Sequence, residues 1–360
     1  MLRYRAVQLL GKVTSVALDQ SRVEALIGTA DGNRYLMDID EFSPELRGTA
    51  HEDTINDIAF PAHSSELFVT CAGTDVRLWN SDKRTELLRI QVPNLVCHCC
   101  TILENGTAIV TGWDDGKIRA FTPESGKLLF CITDAHVDCV TAINATHRCD
   151  RILSGGKDGR VRVWNISGST QTMEMTFKEH KRAVTNISVS NEDDEFVTSS
   201  EDGSCILWNL RRGVRSNALF ASTMFRSALY HPDESQLLTA GSDRKLSYWD
   251  TTDCSAIRVI DGSTEEIMAI DIGHDGTLFT SGGHDTLVRV WLYEEGINVA
   301  VGRGHSKYIT RLKISPDQQR IVSVGAEGGI FMWKMPAPEK VSLSSLGIDV
   351  DALGIKDTQQ

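Results

Sequence analysis

The chain has 360 residues, of which 41% are hydrophobic and 24% are charged, so its composition suits a globular protein with a sizeable core. Its formal net charge of −12 argues against nucleic acid or an anionic membrane as the main partner, because both attract positively charged surfaces. No run of ~18 apolar residues predicts a transmembrane helix, and the N-terminus lacks the apolar core and cleavage site of a signal peptide. The nine scattered cysteines therefore predict reduced thiols, as in the cytosol.

Regularly spaced aromatic residues divide the chain into repeats. Six of the seven tryptophans recur at a regular spacing: the last five of these six are 44, 41, 42 and 42 residues apart, and 85 residues separate Trp79 from Trp164. Phe121 stands where one tryptophan is missing, and Met37 lies 42 residues before the first of the six. The spacing predicts eight repeat units, with aromatic positions at Met37, Trp79, Phe121, Trp164, Trp208, Trp249, Trp291 and Trp333.

Each unit opens with a predicted inner strand that starts 24 residues before the aromatic position. Apolar residues at the first, fourth and sixth places of this strand indicate that it is buried. In chain order, the eight inner strands are predicted at 13–18, 55–60, 97–102, 140–145, 184–189, 225–230, 267–272 and 309–314.

Three more strands complete each unit. A middle strand such as RILSG (151–155) ends in small residues, and an Asp-Gly or similar turn leads into the strand that carries the aromatic residue. A fourth strand follows, as in TELLRI (85–90) and KLLFCI (127–132). The units are therefore predicted to be four-stranded antiparallel blades of ~40–45 residues in an all-β propeller.

The residues at the strand ends resemble those of the WD40-repeat family. Gly304-His305 and Trp249-Asp250 match the two dipeptides typical of that family. In WD40 blades, a histidine, a turn aspartate, a Ser or Thr and the tryptophan form a hydrogen-bonded chain, which is expected to be complete in the fourth and fifth units. The resemblance implies structural roles of this kind for His51, His136, His180, His305, Asp31, Asp115, Asp158, Asp202, Asp243, Asp285, Ser154, Thr198, Trp79, Trp164, Trp208, Trp249, Trp291 and Trp333.

Residues 1–334 are predicted to form one closed propeller. The count of inner strands favours eight blades, and a seven-bladed ring with one unit displaced is the alternative. The last unit has no clear fourth strand after Trp333, so the alternating segment LRYRAVQLL (2–10) is predicted to supply it. Residues 335–360 lack the repeat pattern and are predicted to form an extended tail.

Catalytic sequence motifs are absent, including the nucleophile elbow, the P-loop and the zinc-protease motif. The chain is therefore predicted to be no enzyme and to need no cofactor or small-molecule substrate. A hydrolase with acids and histidines in the central channel is the minor alternative.

The stretch LVCHCC (95–100) concentrates potential zinc ligands. Cys97 and Cys100 occupy slots that are apolar in every other unit, so they are predicted to be buried as small hydrophobic residues. Neighbours on a strand point to opposite faces, so His98 and the three cysteines cannot converge on one ion. No metal site is predicted.

Three basic clusters interrupt the acidic sequence, at 178–182, 209–215 and 301–307. Solvated loop charge is the simpler interpretation. The alternative is a protein-contact patch of Arg211, Arg212 and Arg215, which would meet an acidic surface of a partner.

Three longer segments, at 112–129, 230–249 and 286–316, resemble the WD40 proteins of the ciliary axoneme in residues that the repeat pattern leaves free. The resemblance implies a structural protein of motile cilia and flagella, a microtubule inner protein. Such proteins bind tubulin and neighbouring proteins in the lumen of axonemal doublet microtubules. Members of that family usually carry further N-terminal repeats, so the chain resembles their second half. A soluble adaptor platform in a regulatory or ubiquitin-ligase complex is the alternative function.

Overall fold

The computed structural model describes residues 12–18, 23–30, 33–41, 43–167 and 170–336, except for the side chains of residues 45–48. The regular structure of these residues is β-strand throughout, arranged in eight antiparallel sheets. The described part of the chain contains no helix that could cross a membrane. The segment 2–10 predicted to close the ring, Asp31 and residues 337–360 of the predicted tail lie outside the described residues.

The first sheet consists of β1 (Val13–Leu18), β2 (Glu24–Thr29), β3 (Arg34–Asp38) and β4 (Ser43–Gly48). Six more four-stranded sheets and a final three-stranded sheet follow in chain order. Their strands are β5 (Ile55–Ala59), β6 (Leu67–Ala72), β7 (Asp75–Asn80), β8 (Thr85–Gln91), β9 (Cys97–Ile102), β10 (Ile109–Trp113), β11 (Ile118–Phe121), β12 (Leu128–Ile132), β13 (Val140–Ala145), β14 (Arg151–Gly156), β15 (Val161–Asn165), β16 (Thr172–Phe177), β17 (Val184–Val189), β18 (Glu195–Ser200), β19 (Ser204–Asn209), β20 (Val214–Phe220), β21 (Phe225–Tyr230), β22 (Gln236–Gly241), β23 (Lys245–Asp250), β24 (Ala256–Asp261), β25 (Ile267–Ile272), β26 (Leu278–Gly283), β27 (Leu287–Leu292), β28 (Asn298–Arg303), β29 (Ile309–Ile314), β30 (Arg320–Gly325) and β31 (Ile330–Lys334).

The inner strands of all eight sheets share one irregularity. Each has a β-bulge between its first and third residues where it pairs with the second strand. In β13, Val140 lies opposite Gly156 and Ala142 lies opposite Gly155. Such a bulge bends the strand and increases its twist. Because β1 carries the same bulge, the first sheet is the same structural unit as the other seven.

The turn between the second and third strands lies against the next sheet in the third, fourth and eighth sheets. In the fourth sheet, Gly159 of the Asp-Gly turn has a φ of +71°, a conformation that favours glycine. A Cβ atom at this position would lie only 2.6 Å from the carbonyl oxygen of His180 in the next sheet. Glycine therefore allows both the turn and the close approach of the next blade.

Seven hydrophobic clusters each join two neighbouring sheets. Six of them connect sheets that are consecutive in the chain. The seventh packs Ile55, Ile58 and Trp79 of the second sheet against Val322 and Val324 of the last. The second to eighth sheets therefore form a closed ring of seven blades. Each blade keeps the number of its sheet, so the ring runs from the second blade to the eighth, which is the last blade.

Polar contacts follow the same ring. At four of the seven junctions, the second residue of one inner strand donates a side-chain hydrogen bond to the next blade. The acceptor is the backbone carbonyl of the first residue of that blade's inner strand. The bonds run from Asn56 to Cys97 (2.7 Å), Thr141 to Val184 (2.6 Å), Thr185 to Phe225 (2.8 Å) and Thr310 to Ile55 (2.5 Å). The last of these bonds closes the ring.

The first sheet stands outside this ring, so the eight-bladed ring favoured by the strand count is not the one formed. Val16 is 61% exposed, whereas Ile58, at the same place of its strand, is 1% exposed. Leu26 is 48% exposed, whereas Leu153, its counterpart in the fourth sheet, is fully buried. The position beside Ile55 that an eighth blade would occupy is filled by β29.

Candidate functional site

The predicted hydrogen-bonded chain lies inside the fourth blade. The Trp164 indole N–H donates to Ser154 Oγ over 3.1 Å, and Ser154 Oγ lies 2.9 Å from His136 Nε2. His136 Nδ1 lies 3.0 Å from Asp158 Oδ1. A neutral imidazole, protonated on Nδ1, satisfies every bond of this chain. The arrangement connects the second and third strands of the blade to the loop that precedes its inner strand.

The fifth blade contains a hydrogen-bonded chain of the same kind, with one additional residue. Trp208 donates to Thr198 Oγ1 over 2.8 Å, and Thr198 Oγ1 lies 2.7 Å from His180 Nε2. His180 Nδ1 is closer to Ser204 Oγ, at 2.8 Å, than to Asp202 Oδ2, at 3.4 Å. Asp202 in turn accepts a 2.5 Å hydrogen bond from the Ser204 hydroxyl. The serine thus lies between the predicted histidine and aspartate.

Two further blades contain a complete hydrogen-bonded chain of this kind, with members that the sequence analysis did not identify. In the second blade, His51 lies 2.8 Å from Asp75 and 2.7 Å from Thr70, and Trp79 donates to Thr70. In the last blade, Ser323 and Glu327 take the corresponding positions next to His305 and Trp333. Glu327 stands six residues before Trp333, the spacing of the turn aspartates, and this spacing could have revealed it.

The remaining blades contain shorter versions. Trp249 donates to Thr239 and Trp291 donates to Ser281, at 2.8 and 2.9 Å. Asp285 accepts a hydrogen bond from Ser263, which occupies the histidine position. The other predicted turn aspartates make local contacts, which are an ion pair between Asp115 and Arg119 and a backbone bond from Lys245 to Asp243.

The third blade has a substitute for its missing tryptophan. The Phe121 side chain has no N–H group to donate, and the indole of the fully buried Trp113 donates to Thr111 Oγ1 over 2.8 Å instead. The buried hydroxyl therefore keeps an indole partner, although the indole comes from a different strand.

Several side chains in these hydrogen-bonded chains have the pKa shifts of buried structural groups. Burial lowers the pKa of His51, His180 and His305, so the imidazoles are held neutral. Burial alone would raise the pKa of Asp75, but hydrogen bonds from His51 and Arg77 and the positive charge of Arg77 outweigh it and lower that pKa. Every ring nitrogen of these histidines is already bonded, so none is positioned to act on a ligand.

The cysteine-rich stretch forms β9, the inner strand of the third blade. Cys97, Cys99 and Cys100 are buried, and burial raises the pKa of all three thiols well above the usual value. Cys97 and Cys100 belong to the hydrophobic cluster between the second and third blades. Among the described residues, no group of three or more His, Cys, Asp or Glu side chains is arranged to hold a metal ion.

A half-buried cation crosses the centre of the ring. Arg311 of the last blade donates to the carbonyl of Thr185 in the fifth blade (3.2 Å), and its Nε lies 3.5 Å from Asp57 Oδ1. Burial raises the pKa of Asp57, although Arg311 acts to lower it. Lys313 pairs with Asp271 at 2.7 Å at a polar pocket of about 270 Å³. The charged groups of the channel thus pair with one another.

The predicted basic patch is partly neutralised. Arg211 pairs with Asp194 at 2.5 Å and Arg215 pairs with Glu179 at 2.6 Å. The backbone N–H of Arg212 donates to Asn209, and no ion pair of its guanidinium occurs within the described residues. Arg212 is therefore the one member of the predicted patch whose guanidinium has no ion pair in the described part of the chain.

The last blade offers an open edge. The strand β31 has no neighbour on its outer side among the described residues, whereas the other six ring blades each have a fourth strand there. A cavity of about 490 Å³ lies beside it, lined by Phe68 and Trp79 of the second blade and by Ile330, Phe331 and Met332. The predicted tail begins at Met335, but Met335 itself is buried in the cluster between the last two blades.

Comparisons with known proteins agree with the repeat architecture. A family model described as WD domain, G-beta repeat matches residues 43–80, 126–165, 171–209, 254–291 and 296–334. Among curated relatives, the cilia- and flagella-associated protein 52 of Homo sapiens is 45% identical over 92% of this chain, which covers 54% of that protein. The protein of the same name from Chlamydomonas reinhardtii is 49% identical over 92% of this chain and 55% of its own length.

A more distant relative is the serine-threonine kinase receptor-associated protein of Dictyostelium discoideum, 24% identical over 79% of this chain and 81% of that protein. The chain spans about half the length of the two ciliary relatives.

Proposed function

The chain belongs to the WD40 family, and we propose that it is a non-enzymatic structural protein of motile cilia and flagella. The finer form of the proposal is that it acts as a microtubule inner protein. It binds tubulin and neighbouring proteins in the lumen of axonemal doublet microtubules and stabilises them.

One observation carries the proposal. Identity of 45–49% to ciliary proteins of a mammal and a green alga extends over 92% of the chain. Similarity confined to the repeat motif would support only the fold, because WD40 rings serve many functions. The extent of the identity favours a surface adapted to the same kind of environment.

The chemistry of the described residues supports a scaffold. The buried histidines bond to carboxylates and hydroxyls of their own blades, and the channel charges pair with one another. A rigid ring of this kind offers broad loop and edge surfaces rather than a reactive centre. Such surfaces suit simultaneous contact with several neighbours in a lattice.

Charge restricts where such contacts can lie. With a net charge of −12, the chain repels an acidic partner at long range, so its contacts with one must lie at local basic or neutral areas. The patch of Arg211, Arg212 and Arg215 is one such area, and the apolar cavity beside β31 is another.

Localisation tests the proposal. The tagged chain, expressed in a ciliated cell, is expected along the axoneme and should stay with it after detergent extraction. A diffuse cytosolic pool that copurifies with ubiquitin-ligase subunits would replace the proposal with the adaptor function. A WD40 ring of unrelated function, expressed with the same tag, controls for passive entry into cilia.

The arginine patch can be tested separately. Reversal of Arg211, Arg212 and Arg215 to glutamate should increase the fraction released by salt from the axoneme. The matched control reverses Lys178, Lys181 and Arg182, in the basic cluster at 178–182. Equal release by both triple variants would show that only net charge matters and would remove the patch from the proposal.

A further inference from the structure

We propose that the outer strand of the third blade, β12, is a self-association edge at which two copies of this chain pair antiparallel about a twofold axis. This edge lies apart from the hydrogen-bonded chains and from the central channel. The proposal stands independently of the proposed ciliary function.

The strand β12 lacks the charges that protect the other outer strands. Its sequence is LLFCI, with no charged residue, no proline and no glycine. Each other outermost strand of the described ring carries at least one charge, namely Glu86 and Arg89 in β8, Glu174 in β16, Arg215 in β20, Arg258 and Asp261 in β24, Arg303 in β28 and Lys334 in β31. Charged side chains on an edge strand discourage pairing with another sheet. β12 is therefore the least protected edge of the ring.

The strand is also accessible. It is the last strand of its sheet, so its outward N–H and C=O groups have no strand partner within the described residues. Leu128 and Leu129 are 55% and 50% exposed, and neither belongs to a hydrophobic cluster of the ring. Unpaired backbone groups next to exposed apolar side chains are what an added strand covers.

A second copy is complementary to this edge. If Phe130 lies opposite Phe130 of the second copy, Leu128 and Leu129, which form a β-bulge against Phe121, together face Cys131 and Ile132. All cross-strand pairs are then apolar, and no like charges face each other. Lys127 precedes the strand and Asp134 follows it, so antiparallel pairing brings each lysine close to the aspartate of the other copy. A twofold axis repeats both contacts, as isologous dimers require.

The expected association is weak. Two five-residue strands bury much less than the ~1,600 Å² of a standard interface. Dimers should therefore form at high micromolar protein concentration and dissociate on dilution.

Sedimentation velocity of the full chain over a concentration series tests the proposal. The wild-type protein should shift from monomer to dimer as its concentration rises. Leu129→Lys should remain monomeric over the same range, because it places two like charges in the paired edge. Ile257→Lys, at an equally exposed position of the outer strand β24, is the matched control and should dimerise as the wild type does. Circular dichroism checks that all variants are folded.

A charge swap tests the register. Lys127→Asp should weaken dimerisation at least several-fold, and addition of Asp134→Lys to that variant should restore it. The proposal is overturned by a wild-type protein that stays monomeric at high concentration, by a Leu129→Lys variant that still dimerises, by equal loss in Ile257→Lys, or by a swap that restores nothing.

Discussion

The hydroxyl of Thr310 donates a hydrogen bond to the carbonyl oxygen of Ile55 across 2.5 Å, although 255 residues separate the two in the chain. The same hydroxyl lies 3.1 Å from the carbonyl oxygen of Val324 in its own blade. Thr141 makes the equivalent two contacts, with Val184 of the next blade and Gly155 of its own. The ring is therefore closed by the kind of contact that joins its consecutive blades.

Loss of the closing bond should destabilise the protein. Thr310→Val keeps the shape of the side chain but leaves the Ile55 carbonyl without this donor, which should lower the free energy of unfolding by ~0.5–1.5 kcal/mol. Thr14→Val is the matched control, since Thr14 holds the same place in β1 and its hydroxyl donates to the carbonyl of Gly28 in its own sheet, at 3.2 Å, with no bond to a neighbouring blade among the described residues. Urea unfolding midpoints compare the two. A Thr14→Val variant as unstable as Thr310→Val would contradict a ring closed by β29.

Leucines at the same strand position should also contribute differently to stability inside the ring and in the first sheet. Leu153→Ala removes a fully buried side chain from between two blades and should cost ~2–5 kcal/mol. Leu26→Ala changes the corresponding, half-exposed side chain of the first sheet and should cost less than ~1 kcal/mol. Thermal unfolding of both variants measures the difference. Similar losses would mean that the first sheet is packed between blades.

The strand pattern alone could not decide between seven and eight blades. β1 and β29 share the apolar first, fourth and sixth places and a threonine at the second. Either strand could therefore bond the Ile55 carbonyl, and the outcome depends on which sheet packs against Phe68 and Trp79. That is a property of the whole ring, which local periodicity does not contain.

The Ser154 hydroxyl, which bonds both His136 and Trp164, should contribute more to stability than an exposed hydroxyl does. Ser154→Ala leaves a buried imidazole nitrogen and a buried indole N–H unpartnered, and each such group costs ~1–3 kcal/mol. Ser125→Ala, at an exposed turn position, should change stability by less than ~0.5 kcal/mol. Chemical unfolding monitored by tryptophan fluorescence gives both values. Equal effects would rule out a stabilising role for the chain in the fourth blade.

Sequence spacing located these chains well where the turn kept its usual length. In the second blade only two residues separate β6 from β7, so the acid is Asp75, four residues before Trp79 rather than six. In the third blade the indole comes from Trp113, because Phe121 cannot donate. These substitutions follow from which polar groups remain unsatisfied after packing, and spacing alone does not reveal them.

Stability should fall as the pH is lowered. Burial lowers the pKa of His51, His180 and His305 in the folded state, so the unfolded chain binds protons more tightly. Their stabilisation is complete above the unfolded pKa of about 6.5 and decreases as the pH falls below it. The urea midpoint should therefore decrease between about pH 7.5 and about pH 5.5. A midpoint that is constant or rises toward acid pH would contradict neutral, buried imidazoles.

Cryo-electron tomography of axonemes tests the central functional claim most directly. Averaged doublets of cells that lack this protein should be compared with those of cells in which the full chain is restored. The account predicts that a ring-shaped density inside the doublet lumen, contacting the tubulin wall, disappears without the protein and returns with it. Identical lumenal density in the two averages would contradict the proposal that the chain is a microtubule inner protein.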